Sequence, residues 1–304
     1  MRDVRDWLEK EQVGSVKIDE RLSKHTTWKI GGPADLLVEP SSREGLIKTM
    51  SFIREKQIPW RAIGRGSNIL VSDEGLEGIT IKLGKGMDAL AVDDELVTVA
   101  AGYPLVKLAT LISRQGLSGL EFAGGIPGSV GGAVFMNAGA HGSDIAAIFV
   151  KALILFEDGR LEWLSHEEMA FSYRTSTLQR ELAICIEAVF KLKKGDRAEI
   201  VSRMQENKAY RKKSQPYSYP TCGSVFRNPL PNYAGNLIEE AGLKGHQIGG
   251  AQISDIHANF IVNVDSAKAQ DVLDLIQHVQ TVIYEKRKIR METEVELFGK
   301  QETP

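Results

Sequence analysis

Cysteine is scarce in this sequence: only Cys185 and Cys222 occur in 304 residues. Two thiols cannot build a disulfide framework or a zinc cluster, so a reducing compartment is expected and no metal centre. Long apolar runs are missing too. Nothing approaches the ~20 residues that span a bilayer, and the N-terminal MRDVRDWLEKEQ lacks the apolar core of a signal peptide. An excess of charge of one sign is likewise absent, with 38 Lys and Arg against 40 Asp and Glu, a net −2. Affinity for nucleic acid draws on clustered positive charge, so a general polyanion binder is excluded, although a local basic site for a small phosphate is not. With no repeat or biased tract, the chain reads as a cytoplasmic protein without membrane insertion, long enough for about two domains.

Apolar spacing predicts a helix over MRDVRDWLEKEQVG and another over SSREGLIKTMSFIREKQ, the latter capped by Ser41 or Ser42. Short strands follow at IPWRAIG, Gly78–Leu83 and Leu96–Gly102, then a helix with Pro104 in its first turn and Gly116 at its end. EDGR marks a hairpin in IFVKALILFEDGRLEWL, and ELAICIEAVFKLK alternates as a strand with one buried face. A sharply polar turn at Lys193–Asp196 marks a domain boundary. Beyond it lie a basic helix RAEIVSRMQENKAYRKK, a short helix near NLIEEAG, a strand ANFIVNV, a long helix from Ser266 and a terminal strand TEVELFG. Helices and hairpins without strict alternation point to an α+β fold.

Two segments are dense in glycine: IGRGSNILVSD (Ile63–Asp73) and GGIPGSVGGAVFMNAGAHG (Gly124–Gly142). Glycine lets successive N–H groups converge on a phosphate oxygen, and two such loops could clamp a pyrophosphate. They could equally be tight turns and close crossings. Neither shows the Gly-x-Gly-x-x-Gly of a Rossmann unit, nor the Gly-Lys-Ser/Thr of a Walker loop. A further stretch, PTCGSVFRNP, sets the Cys222 thiol and the Ser224 hydroxyl on either side of a glycine, and residue chemistry alone leaves open which of them acts.

HTTWKIGGPAD, GRGSNILVSD, GLEFAGGIPGSVGGAVFMNAGAHG, FSYRTS, GSVFRNP, AGLKGHQIGGAQISDIHANFIVN and ETEVELFG occur together and in order. Seven such motifs, running from about His25 to Gly299, closely resemble the UDP-N-acetylenolpyruvoylglucosamine reductase family, in its shorter subtype. The resemblance implies a two-lobed FAD-binding domain of the vanillyl-alcohol-oxidase (PCMH) type and a C-terminal α+β substrate-binding domain. The expected spans are an N-terminal helix and lead-in at 1–29, the FAD-binding domain at 30–195 (lobes about 30–85 and 86–195) and the substrate domain at 196–304. It also implies a bacterial peptidoglycan-precursor enzyme that uses NADPH and non-covalent FAD to reduce UDP-N-acetylglucosamine enolpyruvate to UDP-N-acetylmuramate.

The site residues are carried over motif by motif. Arg174 in FSYRTS would face the substrate carboxylate, Ser224 in GSVFRNP would protonate the enolate, and Glu294 in ETEVELFG would hold its proton and donate a hydrogen bond. FAD would meet Gly64, Arg65, Gly66, Ser67 and Asn68 on one loop. On the other it would meet Gly124, Gly125, Ile126, Pro127, Gly128, Ser129, Gly131, Gly132, Asn137 and Ala138. Arg227, Asn228, Tyr210 and Lys213 are expected at the substrate diphosphate, with Arg211 and Lys212 as further cations, although such a run also suits a solvated helix end. His257 and Asn259 read as structural, and nothing supports His141 as a covalent flavin anchor. Two rival readings remain: a flavin oxidase of alcohols, and a non-catalytic nucleotide-binding module that retains the glycine loops.

Overall fold

The structure is a computed structural model and describes residues 1–299. The chain divides into two compact units, each with its own apolar core.

The first unit takes Met1–Ile18, Leu36–Arg65 and Gly78–Arg211. Its main sheet has five antiparallel strands in the order Leu161–Ser165, Phe149–Phe156, Ala183–Lys191, Leu96–Ala100 and Leu90–Asp93. Ala183–Lys191 lies in the middle of this order and is buried on both faces, with Ile184, Cys185, Ile186, Ala188, Val189 and Phe190 all in the core. The single buried face expected from its alternation is therefore corrected. The short helix Val130–Phe135 covers one face of this strand. A four-stranded sheet is ordered Gly14–Arg21, Pro33–Pro40, Leu76–Lys82, Trp60–Ile63. Ser42 caps the helix Arg43–Lys56, its hydroxyl oxygen accepting the Gly45 N–H at 3.1 Å. That helix stacks Phe52 on Trp7 of the helix Arg2–Lys10, ring centroids 4.1 Å apart.

The second unit takes Asp19–Asp35, Gly66–Glu77 and Lys212–Pro304. A small antiparallel sheet, Gln247–Ile248, Ala251–Ile253 and Ile261–Asn263, carries the 19-residue helix Ala269–Arg287. Val272, Leu275, Val279 and Ile283 recur on one face of that helix and are buried. Trp28 is fully buried in this core. Its indole N–H donates to Ile261 O at 2.9 Å, and Asn263 Nδ2 donates back to Trp28 O at 3.1 Å. Asp73 caps the long helix, its carboxylate accepting the N–H groups of Ala269 (2.9 Å) and Gln270 (3.2 Å), where a helix start has unpaired donors. Ile69–Val71 pairs in parallel with Glu296–Phe298.

Both units are discontinuous in sequence, whereas the spans 1–29, 30–195 and 196–304 are contiguous; residues 300–304 of the last lie outside the described residues. The helix Arg197–Ser214 accounts for one difference. Through Arg211 it clusters with the first unit: Arg203 pairs with Glu121 at 3.7 Å, Met204 lies over Gly124, and Asn207 Nδ2 donates to Glu121 O at 3.1 Å. The anchors of Trp28 and Asp73 account for the other, drawing residues 19–35 and 66–77 into the second unit. The terminal strand is also shorter than expected, covering Glu296–Phe298 and leaving Glu294 before its start.

Candidate active site

In the second unit the structure brings the backbones of Ser224 and Glu294 together. Phe226 bridges Thr293, and Glu294 N–H donates to Val225 O at 2.7 Å. Asn259, 4% exposed, holds the other side of the same loop. Its side-chain oxygen accepts Phe226 N–H at 2.9 Å, its Nδ2 donates to Phe226 O at 2.8 Å, and its carbonyl accepts Val225 N–H at 2.8 Å. One amide side chain thus pairs with Phe226 as a neighbouring strand would. Gly223 has φ +93° beside Ser224, a conformation that favours glycine.

The surroundings of Cys222 are unfavourable to a reactive thiol. Cys222 is 3% exposed and belongs to the core of the unit. Burial pushes its thiol well above the ordinary range, and the nearby Glu294 carboxylate adds to this, so no thiolate forms at neutral pH. Cys185 is also buried, its thiol pushed up to about 12 by burial. A thiol-reactive aromatic disulfide is therefore expected to leave both cysteines unmodified in native protein and to titrate two after denaturation. Rapid native labelling at Cys222 would contradict this environment.

Arg174, in the first unit, occupies a tight turn. Ser172 and Thr175 exchange two backbone hydrogen bonds of 3.1 Å, which leaves Tyr173 and Arg174 at the tip. Arg174 has φ +55° at a turn position that usually takes glycine. Strain of this kind persists where the surroundings enforce it. Here Arg174 Nη2 donates to Gly139 O at 3.0 Å, its guanidinium lies 5.2 Å from the Tyr173 ring centroid, and its carbonyl accepts Gln179 Nε2 at 2.9 Å.

The glycine-rich segments divide into positions that pack and positions that line. A Cβ on Gly131 would stand 2.8 Å from Ala101 Cβ, and the N–H groups of Val130, Gly131 and Ala138 are held by Tyr103 O, Ala101 O and Ala133 O. These positions build the loop. Asn137 is 2% exposed; its Nδ2 donates to Asp144 Oδ2 (3.2 Å) and Ser172 O (3.0 Å), while its Oδ1 accepts Ala146 N–H (2.9 Å). The Asn137 side chain is thus tied to the fold. Gly66, φ +65°, lets its loop pass against His25 O, where any side chain would clash, and accepts Thr27 N–H at 2.9 Å. Ser129 caps the turn to Gly132, and a side chain on Gly64 would collide with its hydroxyl. Arg65 and Pro127 are exposed, and Ser67, Ile126 and Gly128 are half-buried.

Arg211 meets this lining. A Cβ on Gly125 would stand 2.6 Å from Arg211 Cδ, so the glycine makes room for the arginine. Arg211 Nε is buried without a hydrogen-bond partner, and the Arg211 charge, after burial itself, holds the imidazole of His141 below its usual range. A buried guanidinium donor beside a glycine-lined loop fits an anionic, phosphate-bearing cofactor, as FAD is.

Of the four residues expected at a diphosphate, Tyr210 belongs to the first unit and Lys213, Arg227 and Asn228 to the second. Tyr210, exposed, meets His141 edge-on in the first unit, ring centroids 5.7 Å apart, and Lys213 is exposed on the second. Arg227 N–H donates to Glu292 O at 2.9 Å, and its charge opposes the upward shift that burial gives the Glu296 carboxyl. Asn228 Oδ1 accepts Ala234 N–H at 3.0 Å, closing the start of the helix Ala234–Glu240. His257 Nδ1 accepts Asn259 N–H at 3.2 Å, in keeping with a structural part. Among the described residues no cluster of three metal-binding side chains occurs, and no helix is long and apolar enough to cross a membrane.

A UDP-N-acetylenolpyruvoylglucosamine reductase of Halalkalibacterium halodurans is 65% identical to this chain over 290 residues, covering 95% of this chain and 96% of that protein. The chain belongs to the UDP-N-acetylenolpyruvoylglucosamine reductase family. The reductase of Bacillus subtilis is 59% identical over 300 residues, 98% of this chain and 99% of the relative. The model of this family's C-terminal domain matches residues 215–298, and one described as an FAD binding domain matches residues 34–165. The crystal structure of a UDP-N-acetylenolpyruvylglucosamine reductase from Thermus caldophilus superposes with a TM-score of 0.80 at 38% identity, covering 94% of this chain and 98% of that one. The protein is thus an α+β FAD-binding oxidoreductase with this reductase family's C-terminal domain.

Proposed function

We propose that the protein reduces UDP-N-acetylglucosamine enolpyruvate to UDP-N-acetylmuramate with electrons from NADPH, as a cytoplasmic step in bacterial peptidoglycan precursor synthesis. Family membership over nearly the whole chain supports the substrate class. The observation that carries the chemistry is the 2.7 Å hydrogen bond from Glu294 N–H to Val225 O, which holds a serine and a glutamate on adjoining backbone.

FAD, held by the glycine-lined segments beside Arg211, would supply a hydride for the terminal carbon of the enolpyruvyl C=C bond. The displaced electron pair moves onto the adjacent carbon and its carboxylate as an enolate. Arg174 is the cation for that carboxylate, because its fork matches the two oxygens and stays protonated. Ser224 gives its hydroxyl proton to the adjacent carbon, which completes a lactyl ether. Serine is a weak acid in water, but an enolate carbon is basic enough to take its proton when a donor steadies the resulting oxyanion. Glu294 donates a hydrogen bond to the enolate. The roles follow: the glycine-lined segments hold the flavin, and residues 212–299 of the second unit engage the sugar nucleotide, with Arg227 and Lys213 toward its diphosphate. Gly64–Ser67, Gly124–Ser129 and Gly132 line the cofactor, and Asn68, Gly131, Asn137 and Ala138 stand behind that lining.

The test is direct. Purified protein is expected to show a flavin spectrum released by denaturation, and to oxidise NADPH only when the enolpyruvyl sugar nucleotide is added. Flavin-loaded protein that ignores this substrate would end the proposal; consumption of dioxygen with an alcohol would favour the oxidase reading. Arg211→Ala is expected to weaken FAD binding about tenfold, the range of one charge-assisted hydrogen bond (about 1.5–3 kcal/mol). Fluorescence titration of the apoprotein with FAD checks this, and an unchanged dissociation constant would remove Arg211 from the cofactor site.

A further inference from the structure

Glu294 lies outside the regular part of the terminal strand. The parallel ladder begins with Glu296 opposite Ile69, and Glu296 N–H donates to Asn68 O at 3.0 Å. Two residues before that ladder, Asn68 meets the Glu294 carbonyl with its side chain, its Nδ2 donating to Glu294 O at 3.0 Å. On the opposite side Glu294 N–H is taken by Val225 O at 2.7 Å, one residue after Ser224. The two peptide groups flanking the Glu294 Cα are thus fixed by two different segments. One carries Ser224; the other leaves the glycine-rich loop at Gly66–Asn68. Fixing both peptides fixes the direction in which the Glu294 side chain leaves the backbone.

We propose that Asn68 is a positioning residue for Glu294, setting through the backbone the place from which the Glu294 carboxyl meets the enolate. The inference rests on the role given to Glu294 above. It differs from the expectation that Asn68 serves the cofactor: its amide acts on a catalytic carboxyl 226 residues away. An asparagine suits the task because a short amide extends a strand ladder by one rung without a further residue of chain. A displacement of about 1 Å in a catalytic group costs on the order of 10²-fold in rate.

The experiment separates the two half-reactions in stopped flow, following flavin absorbance in the holoenzyme. Asn68→Ala and the isosteric Asn68→Asp, which keeps the size but removes the donor, are compared with the parent and with Glu294→Gln. Both Asn68 variants are expected to bind FAD within about threefold of the parent and to be reduced by NADPH at the parent rate. Both are expected to be reoxidised by the sugar nucleotide about 10- to 100-fold more slowly. In the Glu294→Gln background Asn68→Ala is expected to add less than about threefold, because both changes act on one group. Several results would overturn the proposal. One is a tenfold loss of FAD affinity with normal reoxidation, which marks a cofactor ligand. Another is full additivity with Glu294→Gln. A third is a slow Asn68→Ala beside a normal Asn68→Asp, which marks side-chain packing. If Glu294→Gln is slow and the Asn68 variants are not, only this inference falls; if Glu294→Gln itself reoxidises normally, the reading of Glu294 falls and takes this one with it.

Discussion

Ser224→Ala is expected to slow reduction of the enolpyruvyl sugar nucleotide by about 10²–10⁴-fold, the range of a lost general acid, while NADPH still bleaches the flavin at the parent rate. The asymmetry is the informative part. Ser224 does nothing until an enolate exists, so removing its proton leaves the earlier electron transfer untouched. The surrounding geometry survives the change, because the loop is held by Val225 and Phe226 against Asn259 and Glu294. Cys222→Ala supplies the comparison. It removes a buried sulfur from the core of the second unit and is expected to cost a little stability and almost no rate. Rapid-mixing spectroscopy reads both half-reactions in one experiment. If Ser224→Ala turned over at the parent rate and Cys222→Ala did not, the proton would have to come from the thiol, against its burial.

The largest stability effect is expected at Trp28. Its side chain is fully buried, and truncation to alanine removes one of the largest apolar volumes in the second core. Such changes cost about 3–5 kcal/mol, a substantial part of a total of about 5–15 kcal/mol. Trp28→Phe keeps most of the ring but leaves Ile261 O without the indole donor that now approaches to 2.9 Å, and about 1–3 kcal/mol is expected. Urea unfolding followed by circular dichroism checks both, since fluorescence would change with the loss of the tryptophan itself. A Trp28→Ala variant with an unchanged midpoint would show that residues 19–35 do not contribute to the second unit's stability.

The sequence revealed whatever depends on local pattern. Ser42 announces its cap by standing before an apolar period, and the EDGR turn announces the pairing of Phe149–Phe156 with Leu161–Ser165. The strand Pro33–Pro40 has no clear signal in the sequence, because proline at both ends reads as loop. The allegiance of the helix Arg197–Ser214 was hidden because only Ile200 and Met204 are buried along it, too few to show a face. Motifs in order were enough to reveal the family. Arg211 stands in a basic run, but its place beside Gly125 is a tertiary fact with no local trace. The same holds for Asn68, whose partner is 226 residues away, and for the packing contacts of Gly131 and Asn137.

The interleaving of the units has a consequence for the order of events during synthesis. Trp28 leaves the ribosome 233 residues before Ile261, the carbonyl it must meet. At about 5–20 residues per second, that gap lasts roughly 10–50 s. The first unit lacks nothing after Arg211 and can close while the chain is still growing. Through that interval the HTTWKIGG stretch carries an indole with no core to enter. Nascent chains halted shortly before residue 261 should therefore keep this stretch open to protease and to chaperones that bind exposed apolar chain, and release it only when Ile261 emerges.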